Sequence, residues 1–361
     1  MTDASRPART ASHLSPAGRL AYGLSQAARV AWFYTQYRMA ARRVARGPRR
    51  SGKPPRGMPS TGDVLGRLHD LMLRDLANIE AGIYGMPHDW LPRPLSVLRA
   101  SRLFFADLVA VDRRRRARLV DEVYDQSRRN RAKRSYPRYY LQNFHFQTDG
   151  YLSDVSAELY DYQVEVLFYG AADAMRRQAL VPLRDFLAPR RLAETSLLDV
   201  AAGTGRFLTF VKDTYPDLPV IALDLSPYYL RRARAVLARE SRRWFINAPA
   251  EMMPLKDASI DVATCVYLFH ELPPRVRLRV AREIARVLKP GGRLIFVDSL
   301  QHGDDQLFDP LLDLFPMAYH EPYYRSFART NLNRLFADAG LTCTSADVAF
   351  FSKVMVLEKP S

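Results

Sequence analysis

The spacing of apolar residues divides the chain into a helical part followed by a part that alternates strands and helices. In residues 17–45 the apolar positions recur at intervals of three and four, which predicts an amphipathic helix. Its apolar face carries Val30, Phe33, Tyr37, Ala41 and Val44. A helical period continues through residues 61–135. From Ser196 onward, short apolar runs alternate with amphipathic segments, which is typical of an α/β domain.

The segment before the first strand contains helices and charged runs. Helices are predicted near residues 64–76, 95–111 and 117–123. The arginine runs at 113–116 and 128–134 are interpreted as solvated helix faces, because charge runs are rarely buried.

An aromatic segment follows at residues 136–170. It carries ten tyrosine and phenylalanine side chains together with polar groups, among them His145. Dense aromatics beside polar groups suggest a pocket wall or lid as readily as a core. A helix over Tyr160–Arg177 is predicted to lead into the α/β part.

A βαβ unit begins at the first strand of the α/β part. The apolar run Leu197–Val200 leads into the glycine turn Ala201–Phe207, which opens a helix, and Val220–Asp224 forms a second strand. Such a unit binds its ligand at the carboxyl ends of the strands. The turn lacks the third glycine of the dinucleotide fingerprint and the GK[ST] of a P-loop. A nicotinamide oxidoreductase is therefore a weak interpretation.

Each part of this unit has a physical role. Gly203 and Gly205 carry no Cβ, so the turn can be tight and a ligand can approach the backbone N–H groups. Asp224, at the end of its strand, can accept hydrogen bonds from both hydroxyls of a ribose. The pattern therefore predicts a site for a nucleoside cofactor.

Two motifs in this region resemble those of the class I S-adenosylmethionine-dependent methyltransferases. LLDVAAGTGRF resembles the first motif of that family and VIALDLSP the second. Later segments keep the family order: Ala250–Leu255, Ser259–Cys265, Leu288–Gly292 and Leu294–Val297. The resemblance spans about residues 197–359 and is to the small-molecule branch, similar to the quinone-biosynthesis methyltransferases. Residues 1–135 have no counterpart in the minimal domain.

The resemblance implies a fold, a cofactor and binding residues. The expected fold is a Rossmann-like seven-stranded, mostly parallel α/β sheet with an α-helical N-terminal extension, and the last strand, near 350–358, is expected to be antiparallel. S-adenosylmethionine is the implied cofactor. The implied binding residues are Asp199, Ala201, Gly203, Thr204, Gly205, Asp224, Leu225, Ala250, Glu251 and Tyr267. Pro249 stands where many relatives have an aspartate that accepts a hydrogen bond from the adenine amino group. Glu251 or backbone groups are therefore expected to accept that hydrogen bond in this chain.

Candidate catalytic residues are three histidines. His270 follows the fourth strand, His320 lies in a segment where relatives place substrate-binding insertions, and His145 lies in the aromatic segment. A histidine can act as a base because its ordinary pKa is about 6.5. Cys265, in a predicted buried strand, is interpreted as a core residue. No group of His, Cys, Asp and Glu has convincing metal-ligand spacing, so no metal is predicted.

The positive charge is concentrated in an N-terminal arm. The formal net charge is +16, and residues 1–60 carry twelve basic side chains against one acid, Asp3. The predicted domains are this arm with its Pro/Gly linker (1–60), a helical extension and substrate lid (61–180) and the S-adenosylmethionine-binding domain (181–361). Three interpretations of the arm stay open: peripheral contact of residues 17–46 with an anionic membrane, packing on the catalytic body or on another subunit, or a transit peptide. Nucleic-acid binding is a weaker interpretation of the same charge. The expected location is cytoplasmic.

The predicted function is methyl transfer to a small lipophilic or aromatic molecule by in-line displacement. One alternative is a nucleic-acid (RNA) methyltransferase, which the positive charge favours. Against it, the chain lacks the [DNS]-P-P-[FYW] box that is used for methylation of exocyclic base amines. Another is a regulatory protein that binds S-adenosylmethionine without catalysis. Only two cysteines occur, which excludes a disulfide scaffold and a four-cysteine zinc site.

Overall fold

A computed structural model describes residues 14–45, 57–89, 94–129 and 135–361. The start of the basic arm and most of the predicted linker lie outside these ranges. The helices are α1 Pro16–Ala45, α2 Thr61–Glu80, α3 Pro94–Ala117, α4 Glu122–Arg129, α5 Asp154–Leu167, α6 Ala172–Arg177, α7 Leu180–Leu187, α8 Arg206–Thr214, α9 Pro227–Val236, α10 Pro274–Val287, α11 Asp309–Tyr319, α12 Tyr324–Phe327 and α13 Leu332–Ala337. The strands are β1 Leu197–Val200, β2 Val220–Asp224, β3 Arg243–Asn247, β4 Ile260–Val266, β5 Leu288–Ser299, β6 Thr342–Ala349 and β7 Ser352–Glu358.

The seven strands form one sheet in the order β3-β2-β1-β4-β5-β7-β6. Strands β1 to β5 pair in parallel, and β7 runs antiparallel to both of its neighbours. This topology confirms the predicted fold class, including the antiparallel strand at 352–358. The strand order reverses direction beside β1, so a crevice opens at the carboxyl ends of β1 and β4, where open α/β sheets bind ligands.

The centre of the sheet is the largest part of the core. The side chains of β1, most of those of β4 and those of residues 294–298 of β5 are buried between helices on the two faces. Cys265 is fully buried in β4, as expected of a core residue. A sheet covered on both faces has mostly apolar central strands, which is why the run in β1 was recognisable.

Helix α1 packs on the same chain. Phe33, on its predicted apolar face, is buried, as is Ala40, and Trp32 donates a hydrogen bond from Nε1 to Tyr162 Oη at 3.1 Å. Phe33, Tyr37 and Val44 of the predicted apolar face pack against residues of α3 and α5. This geometry is the packing alternative of the sequence analysis. None of the described helices has the length and apolarity to cross a membrane.

The helix predicted over Tyr160–Arg177 is in fact two helices, α5 and α6. The backbone takes left-handed φ values of 54° at Tyr169 and 86° at Gly170. The carbonyl of Gly170 accepts a hydrogen bond from Arg29 Nε at 3.0 Å, and a Cβ at this position would lie 3.1 Å from Arg29 Cγ. The break exists because α1 crosses here, a contact that the helical period of the segment does not encode.

Two expectations about the arginine-rich segment were wrong. A helix over 117–123 does not form: α3 ends at Ala117, Arg118 is left-handed with φ 53°, and α4 begins at Glu122. Arg114, from a run interpreted as solvated, is 5% exposed. Its guanidinium contacts Glu122 and donates to Thr148 Oγ1 at 2.9 Å. A partner carboxylate and a hydroxyl acceptor make that burial tolerable. The predicted domain boundaries stay a prediction.

Candidate active site

A pocket lies at the carboxyl ends of β1, β2 and β4. Nine of the ten predicted cofactor residues line it: Asp199, Ala201, Gly203, Thr204, Asp224, Leu225, Ala250, Glu251 and Tyr267. Gly205 does not line it. Gly205 instead begins α8 with φ 78°, where a Cβ would lie 3.0 Å from Ala233 Cβ. Its lack of a side chain therefore allows α8 and α9 to pack closely.

The carboxylate of Asp224 is fixed by the backbone of the glycine turn. Its Oδ2 accepts a hydrogen bond from Gly203 N at 2.8 Å, and its Oδ1 accepts one from Ser226 N at 2.7 Å. Burial raises the pKa of Asp224 to about 6, although these backbone donors act in the opposite direction. The two oxygens are therefore held in place at the end of β2, beside the turn.

Asp199 is the second acid of the pocket. Its Oδ1 accepts a hydrogen bond from Thr264 Oγ1 at 2.6 Å. Burial raises the pKa of Asp199 to about 7, partly offset by this hydrogen bond. The pocket thus contains two carboxyl groups on adjacent strands, β1 and β2.

The glycine turn and the end of β4 are tied to their surroundings. Thr204 Oγ1 donates to Asp161 Oδ1 of α5 at 2.9 Å, which connects the turn to the helical extension. Tyr267 has a left-handed φ of 60°, and its hydroxyl pairs with Ser352 Oγ at 2.6 Å. A bulky residue at positive φ costs free energy, and such strain is commonly retained at functional sites.

The aromatic segment supplies the opposite wall of the pocket. The residues that do so are Tyr139, Tyr140, Phe144, Tyr151 and Tyr160. Tyr139 Oη donates to Glu251 Oε1 at 2.7 Å. Glu251 is thus engaged by the aromatic segment at the subsite where Pro249 departs from the family pattern. The pocket-wall interpretation of this segment agrees with its position.

Two of the three predicted histidines meet in a cluster of four residues, His145, His270, Glu271 and Glu321, which we call the acid–histidine cluster. His145 Nε2 lies 3.0 Å from Glu321 Oε1 and 3.8 Å from Glu271 Oε1. His270 Nε2 lies 3.9 Å from Glu271 Oε1, and its Nδ1 pairs with Asp298 Oδ1 at 2.6 Å. The cluster borders the pocket through Glu271.

Burial and charge act in opposite directions on these groups. Burial alone would lower the pKa of His270, but the carboxylates of Asp298, Glu321 and Glu271 raise it to about 9. Burial likewise opposes the charged form of His145, and Glu321 and Glu271 raise its pKa. Burial raises the pKa of Glu321 to about 7 despite the nearby histidines. The groups therefore form one electrostatically coupled unit.

His320 lies apart from this unit. It ends α11 with a left-handed φ of 49°, and its Nε2 pairs with Gln142 Oε1 at 3.2 Å. Burial, with a smaller contribution from the charge of His145, lowers the pKa of His320 to about 4. Its ring packs near Phe146, with ring centroids 5.5 Å apart. His320 therefore belongs to the wall of a second cavity.

This second cavity has a volume of about 1060 Å³ and lies between α1, α3, α5 and α11. Its walls are mainly apolar and include Val44, Leu108, Val166 and Met317. Tyr160 lines both this cavity and the first pocket, and His145 lines the cavity while contacting Glu271 at the pocket. The two spaces therefore adjoin at the acid–histidine cluster. No local sequence signal marks this cavity, because four separate helices enclose it.

Comparison with known proteins agrees with the resemblance of the α/β part to methyltransferases. Residues 198–296 match a family described as "Methyltransferase domain". A demethylmenaquinone methyltransferase of Lactococcus lactis is 29% identical over 170 residues, which cover 46% of this chain and 61% of that protein. One of Thermotoga maritima is 34% identical over 149 residues, 41% of this chain and 60% of that protein. A malonyl-[acyl-carrier protein] O-methyltransferase of Geobacter sulfurreducens is 27% identical over 175 residues, 48% of this chain and 65% of that protein.

The chain spans less than two thirds of the length of these curated relatives. The matched segment includes both predicted motifs and confirms the resemblance to the S-adenosylmethionine-dependent methyltransferases, and with it the cofactor. The pocket fits that cofactor chemically. Asp224 offers fixed acceptor oxygens for ribose hydroxyls, Gly203 leaves the backbone open, and Leu225 provides apolar surface for a base.

Proposed function

We propose that this chain, which carries an S-adenosylmethionine-dependent methyltransferase domain, transfers a methyl group to a small lipophilic molecule. The observation that carries this proposal is the adjacency of the cofactor pocket and the apolar cavity, which share Tyr160. A cavity of this size accommodates a molecule with a ring and a hydrophobic tail. Two of the relatives are named demethylmenaquinone methyltransferase, which supports an aromatic acceptor.

The roles of the pocket residues follow from their positions. Asp224 would hold the ribose of S-adenosylmethionine, and Gly203 would leave room for its amino acid part. When bound, this cofactor supplies an electrophilic methyl group on its sulfonium sulfur. The aromatic wall, with Tyr139, Tyr140 and Tyr160, would shield one side of a bound cofactor from water. Positioning of this kind can supply much of the catalysis of an in-line displacement.

The apolar cavity is the proposed acceptor site. Its position between helices of the N-terminal part gives these helices a function in acceptor recognition. The relatives include enzymes named for a demethylmenaquinone and for a malonyl-[acyl-carrier protein]. Because these named acceptors differ, the relatives do not identify one molecule. We therefore define the acceptor by the apolar walls of the cavity, which suit a lipophilic molecule.

The acid–histidine cluster is the proposed site of chemistry at the acceptor. Its nitrogen and oxygen atoms lie where the cavity meets the cofactor pocket, so they can orient the reacting group of the acceptor and receive the proton that this group loses. Asp298 holds the His270 ring in place through Nδ1. His320, in the cavity wall, would contact the body of the acceptor.

We expect His145→Asn to lower kcat about a hundredfold, the cost of misplacing a reacting group by about 1 Å, because His145 helps to orient the acceptor. Asparagine tolerates the left-handed backbone of position 145, where φ is 55°. His320→Asn, also at a left-handed position, should instead raise KM for the acceptor and change kcat less than threefold. His302→Asn is the neutral control. Equal kcat values for the His145 and His320 variants would contradict this division of roles.

Methyl transfer to a matched pair of acceptors tests the proposed function. The pair is an aromatic hydroquinone with an isoprenoid tail and the same ring without the tail. The tailed acceptor should have the lower KM. Leu108→Trp, which fills the cavity, should raise its KM at least tenfold and leave the affinity for S-adenosylhomocysteine unchanged.

Leu95→Trp on the same helix is the control for that variant, because Leu95 is 83% exposed. No preference for the tail, together with wild-type kinetics in Leu108→Trp, would refute the cavity as the acceptor site.

Contact of residues 17–46 with a membrane stays a prediction, and sedimentation of the full chain with anionic vesicles measures it.

A further inference from the structure

We propose that His145, Glu271 and Glu321 bind a divalent transition-metal cation where the cofactor pocket and the acceptor cavity meet. Among the described residues, these three each present a ligand atom, and the three atoms lie within 4.8 Å of one another. Binding of the cation does not depend on the proposed methyl transfer and can be measured without it.

Three separate segments contribute the ligands. His145 comes from the turn between α4 and α5, Glu271 from the short helical turn after β4, and Glu321 from the residues after α11. His145 Nε2 lies 3.0 Å from Glu321 Oε1 and 3.8 Å from Glu271 Oε1. Convergence of three potential ligands from distant parts of the chain on one point distinguishes this group from a run of surface acids.

Glu321 provides the independent indication of a ligand. Its side chain is completely buried, and neither carboxylate oxygen receives a hydrogen bond from the described part of the chain, although His145 lies close by. A buried carboxylate without hydrogen-bond donors is costly, because it loses its hydration without replacement. A cation bound between Glu321 and its neighbours would remove that cost.

The surrounding charges also favour a cation. In the described part of the chain, three carboxyl groups, those of Glu271, Glu321 and Asp298, face two imidazoles, those of His145 and His270. Asp298 is engaged by His270 Nδ1 and by the backbone N–H of Phe269 at 2.7 Å. Glu271 and Glu321 are therefore the carboxylates that remain for a metal.

The ligand set indicates the kind of metal. One imidazole nitrogen with two carboxylates suits Zn²⁺, Mn²⁺ or Fe²⁺, whereas Mg²⁺ and Ca²⁺ prefer oxygen ligands alone. The Tyr151 hydroxyl contacts Glu271 Oε1, which orients that carboxylate as second-layer partners of metal ligands do. Three protein ligands leave at least one coordination position open.

That open position has a consequence for the reaction. A cation bound there would hold an oxygen of the acceptor and lower the pKa of its hydroxyl. This consequence rests on the proposed function.

Titration of the metal-free full chain with Zn²⁺ and with Mn²⁺ tests the site. We expect one equivalent to bind by calorimetry, the melting temperature to rise with metal, and Mg²⁺ to have little effect. Glu321→Gln keeps the side-chain shape and removes a ligand charge, so it should weaken binding at least thirtyfold and abolish the rise in melting temperature. His320→Asn, next in the chain, should bind like the wild type.

Circular dichroism of each metal-free variant verifies folding, and Glu271→Gln serves if Glu321→Gln does not fold. The proposal is overturned if the wild type shows no saturable binding at millimolar Zn²⁺ or Mn²⁺. It is also overturned if the folded variants bind as tightly as the wild type, which would place any bound metal elsewhere. If the wild type binds the metal but transfers no methyl group to the lipophilic acceptors, the proposed function is refuted and the metal site is not.

Discussion

Asp224→Ala is expected to weaken S-adenosylhomocysteine binding about a thousandfold. The carboxylate of Asp224 is fixed by the N–H groups of Gly203 and Ser226, so its remaining lone pairs are held ready for two ribose hydroxyls. Hydrogen bonds to a charged group contribute about 1.5–3 kcal/mol each, and two of them amount to roughly two to four orders of magnitude in Kd. Titration calorimetry with S-adenosylhomocysteine measures the loss.

Asp217→Ala is the matched control for this experiment. Asp217 is exposed and precedes β2, at the opposite end from Asp224, so its removal should leave Kd unchanged. Asp224→Asn keeps one acceptor oxygen and should show an intermediate loss. A Kd for folded Asp224→Ala within threefold of the wild type would rule out the assigned ribose contact.

The same experiment has a pH dependence with a defined sign. Burial raises the pKa of Asp224 to about 6, and the cofactor requires the ionised form. Affinity should therefore weaken as the pH falls through 6. The carboxylate-free Asp224→Asn variant should lack this component.

Asp75→Ala is expected to lower the free energy of unfolding by about 3–5 kcal/mol. Asp75 of α2 is completely buried and accepts hydrogen bonds from Tyr22 Oη at 2.6 Å and Tyr84 Oη at 2.7 Å. It also accepts from Arg177 Nε at 3.0 Å and Nη2 at 2.6 Å. Its removal would leave the buried guanidinium of Arg177 without a counter-charge. Denaturant unfolding followed by circular dichroism measures the change.

An exposed ion pair provides the comparison. Asp154 and Arg231 are each more than half exposed, so Asp154→Ala should cost at most about 1 kcal/mol. The double change Asp75→Leu with Arg177→Met should recover part of the loss, because it removes both charges. A loss below 1 kcal/mol in Asp75→Ala would show that this buried pair does not hold α1, α2 and α6 together.

Local features of the fold could be predicted from the sequence. The bounds of β1 and β2 agree with the apolar runs that predicted them, because a strand buried on both faces is mostly apolar. The glycine turn was recognisable because Gly203, with φ 55°, requires a backbone that other residues rarely adopt. Asp224 could be predicted as a cofactor-binding residue because it lies at the end of β2.

Packing between distant segments could not be predicted in this way. The period of α1 revealed an apolar face, but a period does not tell whether a membrane or another helix covers it. Arg114 belongs to a charge run and is nonetheless buried, because Glu122 and Thr148 accept hydrogen bonds from its guanidinium. Gly170 divides a continuous helical pattern because α1 crosses it.

The sequence by itself identified nine residues of the cofactor pocket, since these residues lie in motifs within short stretches. The resemblance that those motifs carry also implied the mostly parallel sheet with its antiparallel last strand. Only the tertiary structure decided which polar groups meet at the acceptor side. His320 and Glu321 are adjacent in the chain, yet one lies in the cavity wall and the other in the acid–histidine cluster. Their separation arises because α11 ends in a left-handed turn at His320, and where the next side chain lies depends on the segments packed around it.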